Sequence, residues 1–306
     1  MASRKSTKIS KKQHTPDYYP VQRTINLGVP GSTLTGTTIA DTGKLLSIVN
    51  RRLYRQGKLY EVKVDLDMIH TMDSDIEIKV YALSNNWDIQ RAWALAKKTY
   101  EDAMAHEREV LGNRVARWED FRVANGVAGA VQLEPQRYTA GSLAISCLDQ
   151  GEHVNSSVDI NGTPTVFTWG TPGAGEIGIN LEWTKAGKAA QTPTNTTTDA
   201  PYAGVNSDDL NTNEITTLQT SGNNPPYPDT AQVAIWTQVG SLYYRPEAPG
   251  HPGMQRLSTG YFHAPCGLVV LQSTGFAPPS GSVRLTAKSG AYKGVAALAM
   301  SQETSE

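Results

Sequence analysis

The stretch NRRLYRQGKLYEVKVDLD, residues 50–67, decides the fold because it joins the clearest strand pattern of the chain to a run of basic residues. From Tyr60 to Asp67 apolar and charged residues alternate strictly. A period of two is typical of a β-strand with one buried face. Four basic residues stand at the entrance of this strand, namely Arg51, Arg52, Arg55 and Lys58. The stretch therefore predicts a core strand with a positive patch at one end of its sheet.

A second alternating segment runs from Asp75 to Leu83, and we expect these two strands to form a β pair. The period then changes to that of a helix, which we predict from Asn85 or Asn86, as the N-cap, up to Gly112. Aromatic residues recur along this segment, and aromatic residues at helical spacing are more often a packed face than a binding surface. We therefore expect the following residues to pack on the sheet: Trp87, Trp93, Tyr100 and Trp118.

The rest of the chain predicts an all-β fold with a helical insertion. The sequence has 306 residues, of which 39% are hydrophobic, with 27 Gly and 17 Pro, as in loop-rich sandwiches and barrels. Short apolar runs separated by turn signals continue to the end of the chain. We expect one sheet system over residues 21–306, with the helical insertion at about 85–122 and a long polar surface loop at about 185–230.

Charge is distributed unevenly along the chain. Residues 1–63 contain twelve basic and three acidic residues, a net of +9, whereas residues 64–306 contain sixteen and twenty-six, a net of -10. Residues 1–20 are too polar to form a core, so we predict a flexible arm that meets a polyanion, with a solvated tail as the alternative. The basic residues of the arm are Arg4, Lys5, Lys8, Lys11 and Lys12.

Catalytic and cofactor motifs do not emerge from the sequence. It contains no nucleophile elbow, no His-Glu-x-x-His helix and no phosphate loop, and its six His are scattered. We therefore expect no enzyme and no cofactor. A Ca²⁺ ion shared with a neighbouring subunit is the alternative, at Asp73 and Asp75 or at Asp208 and Asp209. Cys147 and Cys266 look like buried strand residues. We expect no membrane insertion and a reducing compartment.

Several stretches resemble capsid proteins of small eukaryotic viruses with circular single-stranded DNA genomes, including the bacilladnavirus-like group. They are NRRLYRQGKLYEVKVDL, WDIQRAWALAKKTYEDAM with RVARWEDFRV, and APCGLVVL with SVRLTAKSGAYKGVAAL. The resemblance covers roughly residues 43–126 and 230–300. It implies a single eight-stranded jelly roll that assembles with icosahedral symmetry, with the arm inside and long loops outside. The arm departs from the family, because it is short, rich in Lys and mixed with Ser and Thr.

The resemblance also implies the partners. They would be copies of the chain in a shell, a single-stranded genome that is DNA rather than RNA, and a host receptor bound by surface loops. The protein would be found in the virion, and in the host nucleus or cytoplasm during assembly. Arm residues and the four basic residues from Arg51 to Lys58 would contact phosphate, and bases would stack on Tyr54, Tyr18 or Tyr19 unless these tyrosines pack between subunits.

A carbohydrate-binding or adhesive β-sandwich is the alternative function. Three tryptophans in strand-like segments and the Thr/Asn-rich loop favour it, although it leaves the basic arm unexplained. These tryptophans are Trp169, Trp183 and Trp236. An enzyme on a β-scaffold has no supporting set of residues.

Overall fold

The structure is a computed structural model, and it describes residues 20–29, 34, 36–68, 76–111, 118–139, 142–147, 153–160, 162–183, 235–244, 255–275 and 282–300. Within them the chain is mostly β-sheet. The strands are β1 Thr24–Gly28, β2 Thr37–Asp41, β3 Lys58–Met68, β4 Ile76–Leu83, β5 Val131–Gln132, β6 Glu134–Thr139, β7 Ser142–Cys147, β8 Ser157–Ile160, β9 Thr163–Thr168, β10 Glu176–Gly178, β11 Trp236–Tyr244, β12 Gln255–Ser258, β13 Phe262–Pro265, β14 Leu268–Gly275, β15 Val283–Ala287 and β16 Ala297–Ala299. The helices are α1 Thr42–Asn50 and α2 Trp87–Leu111.

Two larger sheets contain the strands on which the fold depends. The first sheet has the order β12-β3-β15-β1-β6-β7, with β13 and β16 also paired to β3. The second sheet has the order β11-β4-β14-β2-β5. A separate third sheet has the order β10-β9-β8. The segment between α2 and β11 is therefore divided among all three sheets: β5 joins the second sheet, β6 and β7 join the first, and β8, β9 and β10 form the third.

Strand pairing in the two larger sheets is nested. Early strands pair antiparallel with late ones: β1 with β15, β2 with β14, β3 with β12 and β13, and β4 with β11. The strands β1 to β4 therefore alternate between the first and the second sheet, and their late partners alternate in the same way. The strands β3 and β4 do not pair with each other, contrary to our expectation, because consecutive strands lie in opposite sheets.

The core between these two sheets is built by the alternation seen in the sequence. The apolar side chains Tyr60, Val62 and Leu66 of β3 are fully buried, and they share one cluster with Ile76 and Val80 of β4. Burial of each such side chain contributes about 1.5–3 kcal/mol. The two large sheets thus form a β-sandwich, and β3 is a core strand as predicted.

The charged side chains of β3 lie on the opposite face of the first sheet, where they form ion pairs. Lys288 Nζ lies 2.5 Å from Glu61 Oε1, and Lys63 Nζ lies 2.9 Å from Asp65 Oδ2. Asp67 pairs with both Arg256 and Arg284. The face away from the core is therefore covered by charges that largely neutralise one another.

Helix α2 covers part of the second sheet and begins at the predicted cap. The backbone N–H of Ile89 donates to the Asn86 side-chain oxygen at 3.0 Å. Trp93 and Tyr100 pack in a second core cluster with Phe121, Phe167 and strand residues of the second sheet. The prediction for the aromatic residues is confirmed for these two only, since Trp87 is 62% exposed and Trp118 is 55% exposed.

Two local predictions are corrected by the backbone. Cys266 is buried as expected, but it lies in the turn between β13 and β14 with a positive φ of 56°, not in a strand. The segment EIGINLEWT is a strand only at Glu176–Gly178, and residues 179–183 are helical. There the buried Ile179 packs in the second core cluster, so tertiary packing overrides the strand pattern.

A tight crossing joins the segment after α2 to the third sheet. The Ala124 N–H donates to the Phe167 carbonyl at 2.8 Å, and the Trp169 N–H donates to the Ala124 carbonyl at 2.9 Å. Gly126 has a φ of 66°, and a Cβ added there would lie 1.0 Å from the Trp169 carbonyl oxygen. Only glycine fits this crossing.

The substitution Gly126→Ala tests the crossing. We expect a loss of about 3 kcal/mol or more of unfolding free energy, because the added methyl group forces the backbone at Trp169 to move. The matched control is Gly129→Ala, at a φ of 70° with no atom within 4 Å of the added carbon, where we expect a loss of about 1 kcal/mol. Urea unfolding of the two variants measures the difference, and equal losses would contradict the crossing.

Candidate nucleic-acid interface

The basic residues predicted from the sequence lie where α1 turns into β3. Asp41 caps the N-terminus of α1 by accepting from the Lys44 N–H at 2.9 Å, and Arg51 ends the helix in the left-handed conformation, with a φ of 51°. Arg51, Arg52 and Arg55 are exposed. We call the following set the basic cluster: Arg51, Arg52, Arg55, Lys58 and Lys293.

Lys293 joins the cluster from the far end of the chain. It lies in a loop between β15 and β16, and its Nζ donates to the Leu53 carbonyl at 2.5 Å. Burial lowers the pKa of Lys293, and the nearby charges of Arg52, Arg55 and Lys58 lower it further. Arg52, Arg55 and Lys58 are thus close enough to Lys293 to act on its charge, with Asp120 acting in the opposite direction. Positive charges that lie close together attract a polyanion.

Tyrosine rings support the cluster from beneath. The Tyr54 ring is fully buried, and its hydroxyl donates to the Lys293 carbonyl at 2.9 Å. Tyr292 contacts Tyr54 edge-on at 6.0 Å between ring centroids, and Lys58 Nζ lies 4.7 Å from the Tyr292 centroid. The expectation that bases stack on Tyr54 is therefore wrong, because the ring has no accessible face. Its role is to hold the loop of Lys293 against α1.

The N-terminal segment of the described chain begins beside the cluster. The Gln22 N–H donates to the Asn50 side-chain oxygen at 2.8 Å, and the Asn50 amide donates back to the Gln22 carbonyl at 3.0 Å. Asn50 is the last residue of α1 and immediately precedes Arg51. This reciprocal pair ties the chain that follows the arm to the edge of the basic cluster.

A buried polar network fixes the loop that carries Arg55. Asp41 and Arg122 form an ion pair, with side chains 3% and 6% exposed. Gln56 lies beside them and holds Val123 through both backbone groups, accepting from its N–H at 2.6 Å and donating to its carbonyl at 3.2 Å. The Gln56 N–H in turn donates to Asp120 at 2.8 Å. The segment after α2 is thereby fixed to the loop between α1 and β3.

Asp120 reduces the positive charge at one member of the cluster. Arg55 lies 3.7 Å from the Asp120 carboxylate. Burial raises the pKa of Asp120, while the Gln56 N–H and the charges of Arg122 and Arg55 oppose the rise. Arg55 is thus partly engaged within the chain, and the more available charges of the cluster are Arg51 and Arg52.

The other predicted site residues lie outside the described residues. These are the arm residues Arg4, Lys5, Lys8, Lys11 and Lys12 and the candidate calcium ligands Asp73, Asp75, Asp208 and Asp209. Tyr18, Tyr19 and the polar loop at 185–230 lie outside them as well. Within the described part of the chain no three metal-binding side chains cluster, and no described helix is long and apolar enough to span a membrane.

Lys293 and Tyr292 are the members of the site that the sequence did not indicate. They lie more than two hundred residues from Tyr54, and the hydrogen bond from Tyr54 to Lys293 joins positions 239 apart. A lone Lys in a Gly-rich turn carries no signal of its own. Only the pairing of β15 and β16 with β3 brings it to the cluster.

Comparison with known proteins found no protein-family model, no curated protein and no solved structure that matches this chain.

The substitution Arg122→Met tests the buried network that supports the cluster. It leaves Asp41 charged and buried without its partner, and we expect a loss of about 3–5 kcal/mol of unfolding free energy. The matched control is Arg108→Met, which removes a partly exposed pair with Glu119 and is expected to cost at most about 1 kcal/mol. Denaturant unfolding compares the two variants. A loss at Arg122 no larger than that at Arg108 would contradict the network.

Proposed function

We propose that this protein is a capsid subunit. It self-assembles into an icosahedral shell and packages a single-stranded nucleic acid through its basic arm and basic cluster. The genome is DNA rather than RNA, a choice that rests on the resemblance of the sequence to capsid proteins. The role is structural and not catalytic, and the protein acts in the virion and in the nucleus or cytoplasm of the host cell during assembly.

The nested strand pairing supports a jelly roll. In a jelly roll a long antiparallel hairpin is wrapped so that eight strands divide between two sheets. The strands β1, β2, β3, β4, β11, β12 with β13, β14 and β15 have this pattern of pairs. In this assignment one insertion lies between the fourth and fifth strands of the roll, and it contains α2, the third sheet, the polar loop and the strands β5, β6 and β7, which extend the two large sheets. Jelly rolls are frequent among viral capsid domains.

The observation that carries the nucleic-acid role is the position of Gln22. Its hydrogen bonds to Asn50 hold the first described residues of the chain beside Arg51. In the proposal, the basic arm therefore joins the described chain close to the basic cluster. Together the two features would offer a phosphate backbone ten positive side chains, namely the five of the arm and the five of the cluster.

Packaging in this proposal follows from electrostatics. Lys and Arg side chains displace the counterions that surround phosphates, and the released ions drive binding. Such contacts carry no base readout, so the protein accepts any sequence. The shell itself follows from symmetry, because identical subunits repeat the same contacts until the surface closes.

The alternative of a carbohydrate-binding sandwich loses one of its three tryptophans. Trp169 is completely buried among the residues of the second core cluster. Trp183 and Trp236 are only partly exposed. These three side chains therefore do not form an exposed aromatic platform.

Expression of the full chain tests assembly and packaging. We expect discrete shells in electron micrographs that contain nuclease-protected nucleic acid. Removal of residues 1–20 is expected to lower the ratio of nucleic acid to protein, because half of the proposed phosphate-binding side chains are lost. A monomer without nucleic acid at several salt and calcium concentrations would contradict the proposal. If the truncated chain forms shells with an unchanged nucleic-acid content, the arm has no role in packaging and the basic cluster alone is responsible.

Charge reversal tests whether binding depends on the position of the basic cluster or only on the net charge of the protein. The double variant Arg51→Glu and Arg52→Glu is expected to bind an oligo-dT strand at least about tenfold more weakly, and to lower the slope of log K against log salt by about 1.4 for two lost contacts. The control is Lys97→Glu with Lys98→Glu on α2, which changes the net charge equally. Fluorescence anisotropy over a salt series measures both. Equal weakening by the two variants would show that only net charge matters.

A further inference from the structure

A cleft of about 500 Å³ lies between α2 and β8, and none of the five residues of the basic cluster lines it. Tyr100 and Met104 of α2 form one wall, and Val158 and Asp159 of β8 form the other. Pockets of this size hold small organic ligands. Nothing in the proposed packaging role makes use of this cleft.

One rim of the cleft is an exposed aromatic side chain. Trp118 is 55% exposed, although an indole usually gains from burial. Apolar atoms of Met104, Val154 and Pro164 also line the cleft. This combination gives a flat apolar surface beside a depression of mixed polarity.

The charges in the cleft are mostly paired within the chain. Glu119 accepts from Arg108 and from the Tyr100 hydroxyl. Asp120 lies between Arg55 and Arg122. A small anionic ligand therefore finds little uncompensated positive charge, and the carboxylates on the walls repel a phosphate group.

Polar side chains, one of them the carboxylate of Asp159, are exposed along the cleft. Asn155, Ser157 and Asp159 are exposed on the strand that forms one wall and on the residues before it. At the floor Arg122 is only 5% exposed, and its Nε and Nη1 make no hydrogen bond to the described residues. These two nitrogens have almost no accessible surface, so the groups that can reach a ligand are those of Asn155, Ser157 and Asp159.

We propose that this cleft binds a neutral saccharide. A pyranose ring has an apolar face of C–H groups, which are attracted to the negative face of an indole ring. Its hydroxyl groups both donate and accept, so they suit Asp159 and Asn155 on one side and Ser157 beside them. Trp118 is the stacking platform, and Asp159 is the acceptor that orients the sugar. The proposal is independent of capsid assembly, since the cleft lies within a single chain.

Saturation-transfer NMR of the full chain tests the proposal with lactose, maltose and chitobiose as probes and 3′-sialyllactose as the charged comparison. We expect at least one neutral disaccharide to bind. Trp118→Ala is expected to weaken that binding about tenfold or more, and Trp118→Tyr is expected to restore part of it. Asp159→Ala is expected to weaken it as well. Trp87→Ala, which removes another exposed tryptophan, serves as the control and is expected to have no effect.

Three outcomes would overturn the proposal. They are the absence of binding to all three neutral probes, binding that Trp87→Ala abolishes while Trp118→Ala leaves it intact, and a preference for the charged probe. Each result is distinguishable from a failure of assembly, because the NMR measurement requires no shell.

Discussion

The carboxylate of Asp41 is the group on which the rest of the structure depends. It ends β2, caps α1, and pairs with Arg122 in an interior that is almost closed to water. The Gln56 side-chain amide also donates to it at 3.3 Å, so three separate parts of the chain converge on one buried charge. A buried ion pair contributes little net stability compared with apolar packing, but it has few alternative arrangements, because a misplaced partner leaves an unpaired charge. Its effect here is to fix the position of one element against another.

Gln56 connects this buried ion pair to the basic residues at the surface. Its side chain holds Val123, its N–H holds Asp120, and its neighbours in sequence are Arg55 and Gly57. A Cβ on Gly57 would lie 2.2 Å from the Trp93 ring, so this loop is pressed directly against α2. The basic cluster is therefore presented by a loop with a rigid support. If the cluster binds phosphate as proposed, side chains on a rigid support lose less conformational entropy on binding than side chains on a support that must first be ordered.

The sequence predicted those parts of the fold that depend on local pattern. The alternation in β3 and the helical period of α2 are each set by one buried face, so residues within a single element were enough to identify them. The pairing of strands was beyond such reasoning, because the register of β3 with β15 and β12 depends on residues some two hundred positions away. For the same reason Arg51 and Arg52 were identified as a patch, being consecutive, while Lys293 was not. Tyr54 was expected to be open to bases but is buried, whereas Trp118 was expected to be packed but is exposed. Residue type alone does not reveal whether a neighbouring element covers a side chain.

The distribution of charge over the first sheet explains why the basic cluster is a distinct feature. The outward side chains of β3 are mainly acidic, and Lys288, Arg256 and Arg284 on the adjoining strands neutralise them. These pairs extend along the face and leave little net field over it, because opposite charges at short range cancel at a distance. At the α1 end of β3 the pattern stops, and only Arg55 has an acidic partner on the described chain in Asp120. A polyanion that approaches the sandwich is therefore attracted to this end, where the N-terminal segment also begins, and not to the sheet face as a whole.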